Sequence, residues 1–287
     1  MTKMKLKQRI AIGYYKTKLN TIALISTRKA AEKAFDLFCT PFSSKTKLIA
    51  PPVFHHAEKL SFQLKNEAVK GWRWKSENPN ASKILIVHGF NSYSYKFEKY
   101  ASLLKREGFE VLAFDAPAHG LSDGKRINAL LYRDMIFQIE KNYGSLFGIM
   151  AHSLGGLSAA LAAEKITSLQ KLVLIAPAAE TNRAVNNFFT LTRLNQSIKK
   201  DFVQLLTELA GQPISYFSVG RALHTISAKT LWVHDIEDAI CSFDDVVPVK
   251  SMNLPLVQFY ITKGLGHSRI YKENKVAKEI ISFFTST

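Results

Sequence analysis

The chain of 287 residues is long enough to bury a full hydrophobic core, and its 47% hydrophobic and 22% charged residues exclude disorder over the whole length. Its two cysteines, Cys39 and Cys241, exclude a disulfide scaffold, form no zinc-ligand spacing, and favour a reducing, cytoplasmic location. No segment reaches the ~20 apolar residues that span a bilayer, and no small-residue cleavage site follows an apolar run, so a signal peptide is not expected.

The formal net charge of +16 is the unusual bulk property, and much of it is local. Eight cationic residues precede the first acidic residue, Glu32: Lys3, Lys5, Lys7, Arg9, Lys16, Lys18, Arg28 and Lys29. Such a basic helical face can simply be solvated, or it can make a peripheral membrane contact or bind a partner. Nucleic-acid binding is not expected, because only the charge supports it and no recognition motif accompanies it.

The first part of the chain, residues 1–58, is predicted to be a basic helical extension. Residues 30–38 (AAEKAFDLF) have helical apolar spacing, and Pro41 and Pro51 interrupt the pattern. Alternating apolar residues in 60–64 and again in 69–74 then predict a β-hairpin that leads into the core.

From Lys83 onward, short apolar runs alternate with helical patterns. The runs predict buried strands at 84–87, 111–114, 146–150, 171–175, 230–234 and 256–261. Helices are predicted at 96–106, 129–143, 157–165 and 275–284. Such alternation predicts an α/β fold with a mostly parallel sheet flanked by helices. The expected division is a core in 59–177 and 229–287, interrupted by a helical cap insertion at 178–228.

The segment Ala151-His152-Ser153-Leu154-Gly155-Gly156 lies between a predicted strand and a predicted helix. A serine on a tight strand-to-helix turn projects its hydroxyl above the sheet, and the turn needs small residues on both sides. Alone, the segment fits equally well a helix N-terminus that Ser153 caps.

The surrounding sequence favours a nucleophilic Ser153. The predicted strand 84–87 ends in His88-Gly89-Phe90, where the backbone N–H of Phe90, with that of Leu154, would form an oxyanion hole. The nucleophile also needs a base that an acid orients, and His267 lies in a glycine-rich loop after the last strand.

The acid is expected just after the strand 230–234. Asp235, Glu237 and Asp238 all follow it. We choose Asp238, because an acid a few residues beyond the strand end can turn back under the imidazole, and Asp235 is the runner-up. His224 and His234 are expected to be structural.

With these motifs, the chain from about residue 59 to 287 resembles the α/β-hydrolase superfamily. The matching segments are ILIVHGF, VLAFDAPAHGLSDG, IMAHSLGG, LVLIAPAA, LWVHDIED and GLGHSRI. The resemblance assigns the nucleophile, acid and base to Ser153, Asp238 and His267, and the oxyanion donors to Phe90 and Leu154. It implies that Asp115 and His119 are architectural. Ala151 replaces a glycine that is usual in the serine motif, and the N-terminal extension has no counterpart in the minimal fold.

The resemblance implies a serine hydrolase that cleaves a carboxylic ester or thioester through an acyl-enzyme and needs no metal or organic cofactor. The expected substrate is a small-molecule ester, and the aromatic residues of the insertion suggest an apolar acyl part: Phe188, Phe189, Phe202, Tyr216 and Phe217. A peptidase or acyltransferase with the same triad, and a non-enzymatic ligand- or partner-binding member of the fold, remain alternatives.

Overall fold

The computed structural model describes residues 6–42 and 48–286, which divide into two compact units. The helical unit contains the described residues up to Thr40 together with Glu180–Ser218. The sheet unit contains the described residues of Pro41–Ala179 and Val219–Thr287. Helices and strands are numbered in chain order through both units.

The helical unit is built from two helix pairs that are far apart in the sequence: α1 (Leu6–Ala23), α2 (Thr27–Cys39), α7 (Thr181–Thr192) and α8 (Gln196–Ala210). The face of α2 that carries Ala30, Ala31 and Ala34 is fully buried, and such small side chains let another helix approach closely. They share a core with Phe189 and Phe202 of α7 and α8. The N-terminal helices and the insertion therefore complete one another's hydrophobic core.

Three of the five aromatic residues of the predicted acyl site, Phe188, Phe189 and Phe202, lie within this core. Phe202 is fully buried, and its ring packs against Phe38, Phe188 and Phe189. These side chains stabilise the helical unit, since buried aromatic pairs contribute about 0.5–1.5 kcal/mol each beyond their buried area.

The sheet unit holds one sheet of eight strands, all within the described residues, in the order β1-β2-β4-β3-β5-β6-β7-β8. The strands are β1 (Glu58–Leu64), β2 (Glu67–Trp74), β3 (Lys83–Val87), β4 (Glu110–Phe114), β5 (Gly148–His152), β6 (Lys171–Ile175), β7 (Lys229–Asp235) and β8 (Val257–Thr262). The pairs β1–β2 and β2–β4 are antiparallel, and all other neighbouring pairs are parallel. The predicted hairpin is confirmed, with Lys65 and Asn66 at positive φ in its two-residue turn.

The sheet unit begins with the short helix α3 (Pro52–His55), which precedes β1. Its other helices follow strands: α4 (Glu98–Arg106), α5 (Ala129–Tyr143), α6 (Leu154–Ala163), α9 (Val219–Leu223), α10 (Val246–Ser251), α11 (Gly266–Arg269) and α12 (Asn274–Thr285). Every residue of β5 and β6 is buried, as their continuous apolar runs predict for strands covered on both faces.

The structure differs from the sequence prediction at the junction of β5 and α6. The strand continues to His152, which pairs with Ile175 of β6, and the helix begins at Leu154 rather than Leu157. The sequence indicated a longer turn because glycine is a poor helix former. Gly155 and Gly156 nevertheless lie inside the helix, because its first turn packs directly against other backbone segments.

No helix in residues 6–42 or 48–286 is long and apolar enough to cross a membrane. Of the basic N-terminal residues, Lys3 and Lys5 lie outside the described residues. Lys16 and Lys18 are exposed on α1, and Lys29 is exposed on α2.

Candidate active site

Ser153 is the single residue between β5 and α6. Its φ of 55° and ψ of −122° are unusual for a residue with a side chain, and such strain is concentrated at functional sites. The side chain makes no capping hydrogen bond to α6, although Ser153 occupies the N-cap position. Its Oγ instead lies 3.0 Å from Nε2 of His267.

Glycines make room for this tight turn. A Cβ atom on Gly155 would lie 2.4 Å from the carbonyl oxygen of His88, and one on Gly156 would lie 2.7 Å from Cβ of Pro177. Both glycines are therefore required by close packing of the first turn of α6. Ala151, at the position where glycine is usual, is fully buried in β5.

His267 lies in the short helix α11, directly after the loop that leaves β8. Its Nε2 faces Ser153, and its Nδ1 lies 2.8 Å from Oδ2 of Asp238. The side chain of His267 is 10% exposed, so the imidazole is shielded but can still be reached. With the Nδ1 proton donated to the carboxylate, Nε2 is an acceptor for the serine hydroxyl proton.

The carboxyl group of Asp238 is fully buried, and its two oxygens have different partners. Oδ2 accepts the hydrogen bond from His267, while Oδ1 accepts from the backbone N–H groups of Ile240 (2.8 Å) and Cys241 (2.9 Å). Burial raises the pKa of Asp238, but hydrogen bonding and the charge of His267, with the two N–H groups, outweigh it and hold the pKa below its usual value. The carboxylate is therefore ionised beside the imidazole.

Asp235 has a different environment from Asp238. Its Oδ2 accepts hydrogen bonds from the hydroxyl of Thr262 (2.7 Å) and the N–H of Leu265 (3.0 Å), and its Oδ1 accepts from the N–H of Glu237 (3.0 Å). Asp235 thus anchors the loop that leads to His267, while Asp238 contacts the imidazole itself.

The two predicted oxyanion donors lie at the turn that holds Ser153. As the first residue of α6, Leu154 has an N–H without an acceptor inside the helix. A Cβ on Gly89 would lie 2.9 Å from Cβ of Ser153, so the backbone before Phe90 touches the serine. The oxyanion role of Phe90 and Leu154 stays a prediction.

Two residues beside the triad were not identified from the sequence. Nε2 of His152 donates to the carbonyl oxygen of His267 (3.1 Å), and burial lowers the pKa of His152 to about 3, so it stays neutral. Burial raises the pKa of the Cys241 thiol to about 12, although the neighbouring Ser153 acts in the opposite direction. The signal available was adjacency: His152 precedes Ser153, and Cys241 follows Asp238 closely.

The residues expected to be architectural support the segment after β3. Asp115 accepts hydrogen bonds from the N–H groups of Ser94 and Leu121, both at 2.8 Å. Nε2 of His119 accepts from the N–H of Asn91 (3.2 Å), next to Phe90. Burial lowers the pKa of His119, which keeps its imidazole neutral.

The other two histidines of the sequence analysis lie outside the hydrogen-bond chain that joins Ser153, His267 and Asp238. His224 is exposed, and His234 is fully buried in β7, where it accepts from Nε1 of Trp232 and donates to the carbonyl oxygen of Cys241. In the described part of the chain, no group of three histidine, cysteine or acidic side chains could hold a metal ion.

Comparison with known proteins bears on the fold and on the class of chemistry. A family model described as serine aminopeptidase, S33, matches residues 78–215, which include Ser153 and end before Asp238 and His267. Monoglyceride lipase of Rattus norvegicus is 29% identical over 113 residues, 36% of this chain and 37% of the lipase. Monoglyceride lipase of Homo sapiens is 30% identical over 118 residues, 38% of this chain and 39% of the lipase. The chain therefore aligns with less than half the length of these curated relatives.

Solved structures match over most of their length. An esterase of Pyrococcus furiosus is 17% identical with a TM-score of 0.64, covering 85% of this chain and 97% of the esterase. The ferulic acid-bound Est1E of Butyrivibrio proteoclasticus is 18% identical with a TM-score of 0.63, covering 78% and 97%. A thioesterase domain from the curacin biosynthetic pathway is 14% identical with a TM-score of 0.58, covering 80% and 99%. These neighbours confirm the fold that the sequence predicted.

Proposed function

We propose that this chain, which has the α/β-hydrolase fold, is a serine hydrolase that cleaves a carboxylic ester through an acyl-enzyme intermediate. One observation carries the proposal: an unbroken hydrogen-bond chain from Ser153 Oγ through His267 to a buried, ionised Asp238, with distances of 3.0 and 2.8 Å. This is the arrangement that activates a serine hydroxyl, which is a poor nucleophile by itself.

In the proposed first step, Oγ of Ser153 attacks the ester carbonyl carbon while Nε2 of His267 takes the hydroxyl proton. The buried carboxylate of Asp238 stabilises the resulting imidazolium. Collapse of the tetrahedral intermediate breaks the bond to the leaving alcohol, which receives the proton from His267. Water then attacks the acyl-serine with His267 again as the base, and releases the acid.

Charge develops on the carbonyl oxygen in both steps. Backbone N–H groups aimed at that oxygen contribute about 3 kcal/mol each to transition-state stabilisation. We assign this role to Leu154, which directly follows Ser153, and to Phe90, because the backbone of the preceding Gly89 lies against Ser153.

The neighbouring titratable groups support serine as the nucleophile. Burial keeps the thiol of Cys241 protonated, and a protonated thiol is a weak nucleophile. Burial also keeps His152 neutral, so that it adds no positive charge beside the imidazolium of His267.

The decisive experiment is Ser153→Ala. Alanine suits the same turn, because Ser153 is itself a residue with a Cβ at positive φ, so the fold should be retained. We expect kcat on a p-nitrophenyl ester to fall by ~10⁶ and labelling by a fluorophosphonate to vanish. Circular dichroism and the melting temperature serve as folding controls. Labelling that persists in the variant would identify another nucleophile.

For the substrate, we propose a small-molecule ester with an apolar acyl part, because the curated relatives include monoglyceride lipases. A peptidase is the second candidate, because the matching family model is that of a serine aminopeptidase. Rates on p-nitrophenyl esters of increasing chain length, on acyl-CoA thioesters and on aminoacyl anilides separate these. A higher kcat/KM on the anilides than on any ester would favour the peptidase.

We further propose a cytoplasmic location and peripheral contact with an anionic membrane. Leu24 and Ile25 at the turn between α1 and α2 are 87% and 88% exposed, with Lys16, Lys18 and Lys29 exposed nearby in the sequence. Each lysine near an anionic surface contributes about 1 kcal/mol of attraction, which salt screens.

Point variants test the membrane contact better than truncation, because removal of α1 and α2 would expose the core around Phe202. Leu24→Ser with Lys18→Gln should weaken binding to anionic liposomes at low salt. Lys200→Gln, at an exposed position of α8, is the matched control. Binding that is absent, or that salt leaves unchanged, would remove the membrane proposal and leave the hydrolase proposal intact.

A further inference from the structure

A cavity of about 380 Å³ in the sheet unit is separate from the triad. Its polar lining is dominated by three lysines and several tyrosines: Lys96, Lys99, Lys272, Tyr93, Tyr100 and Tyr271. Glu98 is the one carboxylate among the residues that line it, so its lining carries a net positive charge. None of the three residues of the proposed triad lines this cavity.

The ammonium groups of the cavity keep unused hydrogen-bond donors. Nζ of Lys96 makes one long hydrogen bond, 3.4 Å, to the carbonyl oxygen of Asn91. Nζ of Lys99 donates to the carbonyl oxygen of Lys272 (3.1 Å) and to Oδ1 of Asn274 (2.8 Å). Because an ammonium group carries three N–H donors, both lysines have at least one donor left for a ligand.

The positive charges are also incompletely neutralised. Partial burial, followed by repulsion from Lys272, lowers the pKa of Lys96. Burial lowers the pKa of Lys99, and the attraction of Glu273 does not offset it. A bound anion would stabilise the charged form of these two ammonium groups.

An independent observation points to a missing ligand. Tyr100 lines the cavity, is 1% exposed, and has a buried hydroxyl without a hydrogen-bond partner among the described residues. Buried polar groups are nearly always hydrogen-bonded, and an orphan is costly to keep. A ligand oxygen that enters after the side chains covering this hydroxyl move aside would satisfy it.

We propose that this cavity binds the phosphate group of a phosphorylated ligand. A phosphate monoester has close to two negative charges and three acceptor oxygens, enough for the lysines and the hydroxyl of Tyr100 together. Lysine binds phosphate as a point charge and needs no planar pairing geometry. The cavity exceeds the size of phosphate alone, and the rings of Tyr93 and Tyr95 provide apolar walls for an organic part.

The first part of the test uses soluble ligands. Calorimetry measures the binding of inorganic phosphate and of glycerol 3-phosphate to the full-length chain, and chloride at equal ionic strength is the reference. We expect saturable binding. Because a hydrogen bond to a charged group contributes about a factor of ten or more in affinity, Lys96→Gln and Lys272→Gln should each raise Kd about tenfold. Lys105→Gln, at an exposed position of α4 outside the cavity, is the control and should leave Kd unchanged.

Tyr100→Phe isolates the orphan hydroxyl. Since this hydroxyl has no partner in the described residues, its removal should leave the melting temperature without phosphate unchanged or higher, while Kd for phosphate rises severalfold. A variant with normal stability and normal Kd would contradict the assignment of Tyr100.

A vesicle arm distinguishes a soluble ligand from a lipid headgroup. Vesicles of phosphatidylcholine with and without phosphatidic acid are compared for the natural chain and for Lys96→Gln. Binding of the soluble probes supports a soluble phosphorylated ligand, while binding only to phosphatidic acid vesicles, lost in Lys96→Gln, supports a headgroup. Absence of saturable binding in both arms, or an equal loss in Lys105→Gln, would overturn the proposal. Neither result depends on hydrolase activity.

Discussion

The substitution Asp238→Asn tests whether the charge of Asp238 orients and stabilises His267 in the proposed triad. In the natural chain, Nδ1–H of His267 donates to Oδ2 of Asp238 at 2.8 Å, and Oδ1 accepts two backbone N–H groups. An asparagine keeps its carbonyl oxygen on those two N–H groups, because its NH₂ group cannot accept from them. The NH₂ group then faces His267.

A donor facing Nδ1 forces the proton of the neutral imidazole onto Nε2. The nitrogen next to Ser153 is then no longer a base, and the carboxylate that would stabilise the imidazolium is gone. For a triad of this kind, that change lowers kcat by ~10⁴, or about 5 kcal/mol of transition-state stabilisation.

Asp235→Asn is the matched control, since it makes the same chemical change three residues away. Both oxygens of Asp235 accept hydrogen bonds, so an NH₂ group must face at least one donor of the loop. An unsatisfied buried donor costs about 1–3 kcal/mol. We expect a lower melting temperature and a kcat that falls by no more than about tenfold, because the imidazole keeps its own partner.

The assay is kcat on a p-nitrophenyl ester, measured well below the melting temperature of each variant. The ranking decides the matter: if Asp235→Asn loses more kcat than Asp238→Asn while remaining folded, the acid is Asp235 and the geometric argument fails.

Two further substitutions test the surroundings of the serine. Because burial lowers the folded-state pKa of His152 from 6.5 to about 3, the unfolded chain binds the proton first, and stability falls as the pH drops below 6.5. Between pH 6.5 and 4, this effect lowers the free energy of unfolding by about 3 kcal/mol, and His152→Gln should remove that loss. Urea denaturation at several pH values measures it. If the free energy of unfolding depends on pH equally in both proteins, a neutral His152 is contradicted. Gly89→Ala would bring a Cβ within 2.9 Å of Cβ of Ser153 and displace the serine, so we expect a ~10²-fold loss of kcat. Gly13→Ala is the control and should leave kcat unchanged, because a Cβ there would meet no described atom within 4 Å.

The core of the fold could be predicted from the sequence because its strands are apolar along their whole length. Parallel strands covered on both faces need no polar side, so segments such as KLVLI of β6 are distinguishable from amphipathic helices without any tertiary information. The tight turn at Ser153 was predictable for a similar reason: small residues at fixed offsets are a local steric requirement.

The length of that turn was not predictable. Gly155 and Gly156 indicate a loop by their intrinsic preference, yet they lie in α6 because the helix packs against His88 and Pro177. Glycine lowers helix stability by about 1 kcal/mol, which close packing outweighs. Only the neighbouring backbone, far away in the sequence, decides this.

The sequence by itself determined the order of strands and helices and the chain positions of Ser153 and His267, because each follows from local periodicity and turn chemistry. Only the tertiary structure distinguished Asp238 from Asp235, since both follow β7 closely and the path of the loop decides which carboxylate reaches the imidazole. Only the tertiary structure also showed that α1 and α2 pack with the helices of the insertion around Phe202. An apolar helix face indicates that the helix packs against something, but it does not indicate which element that is.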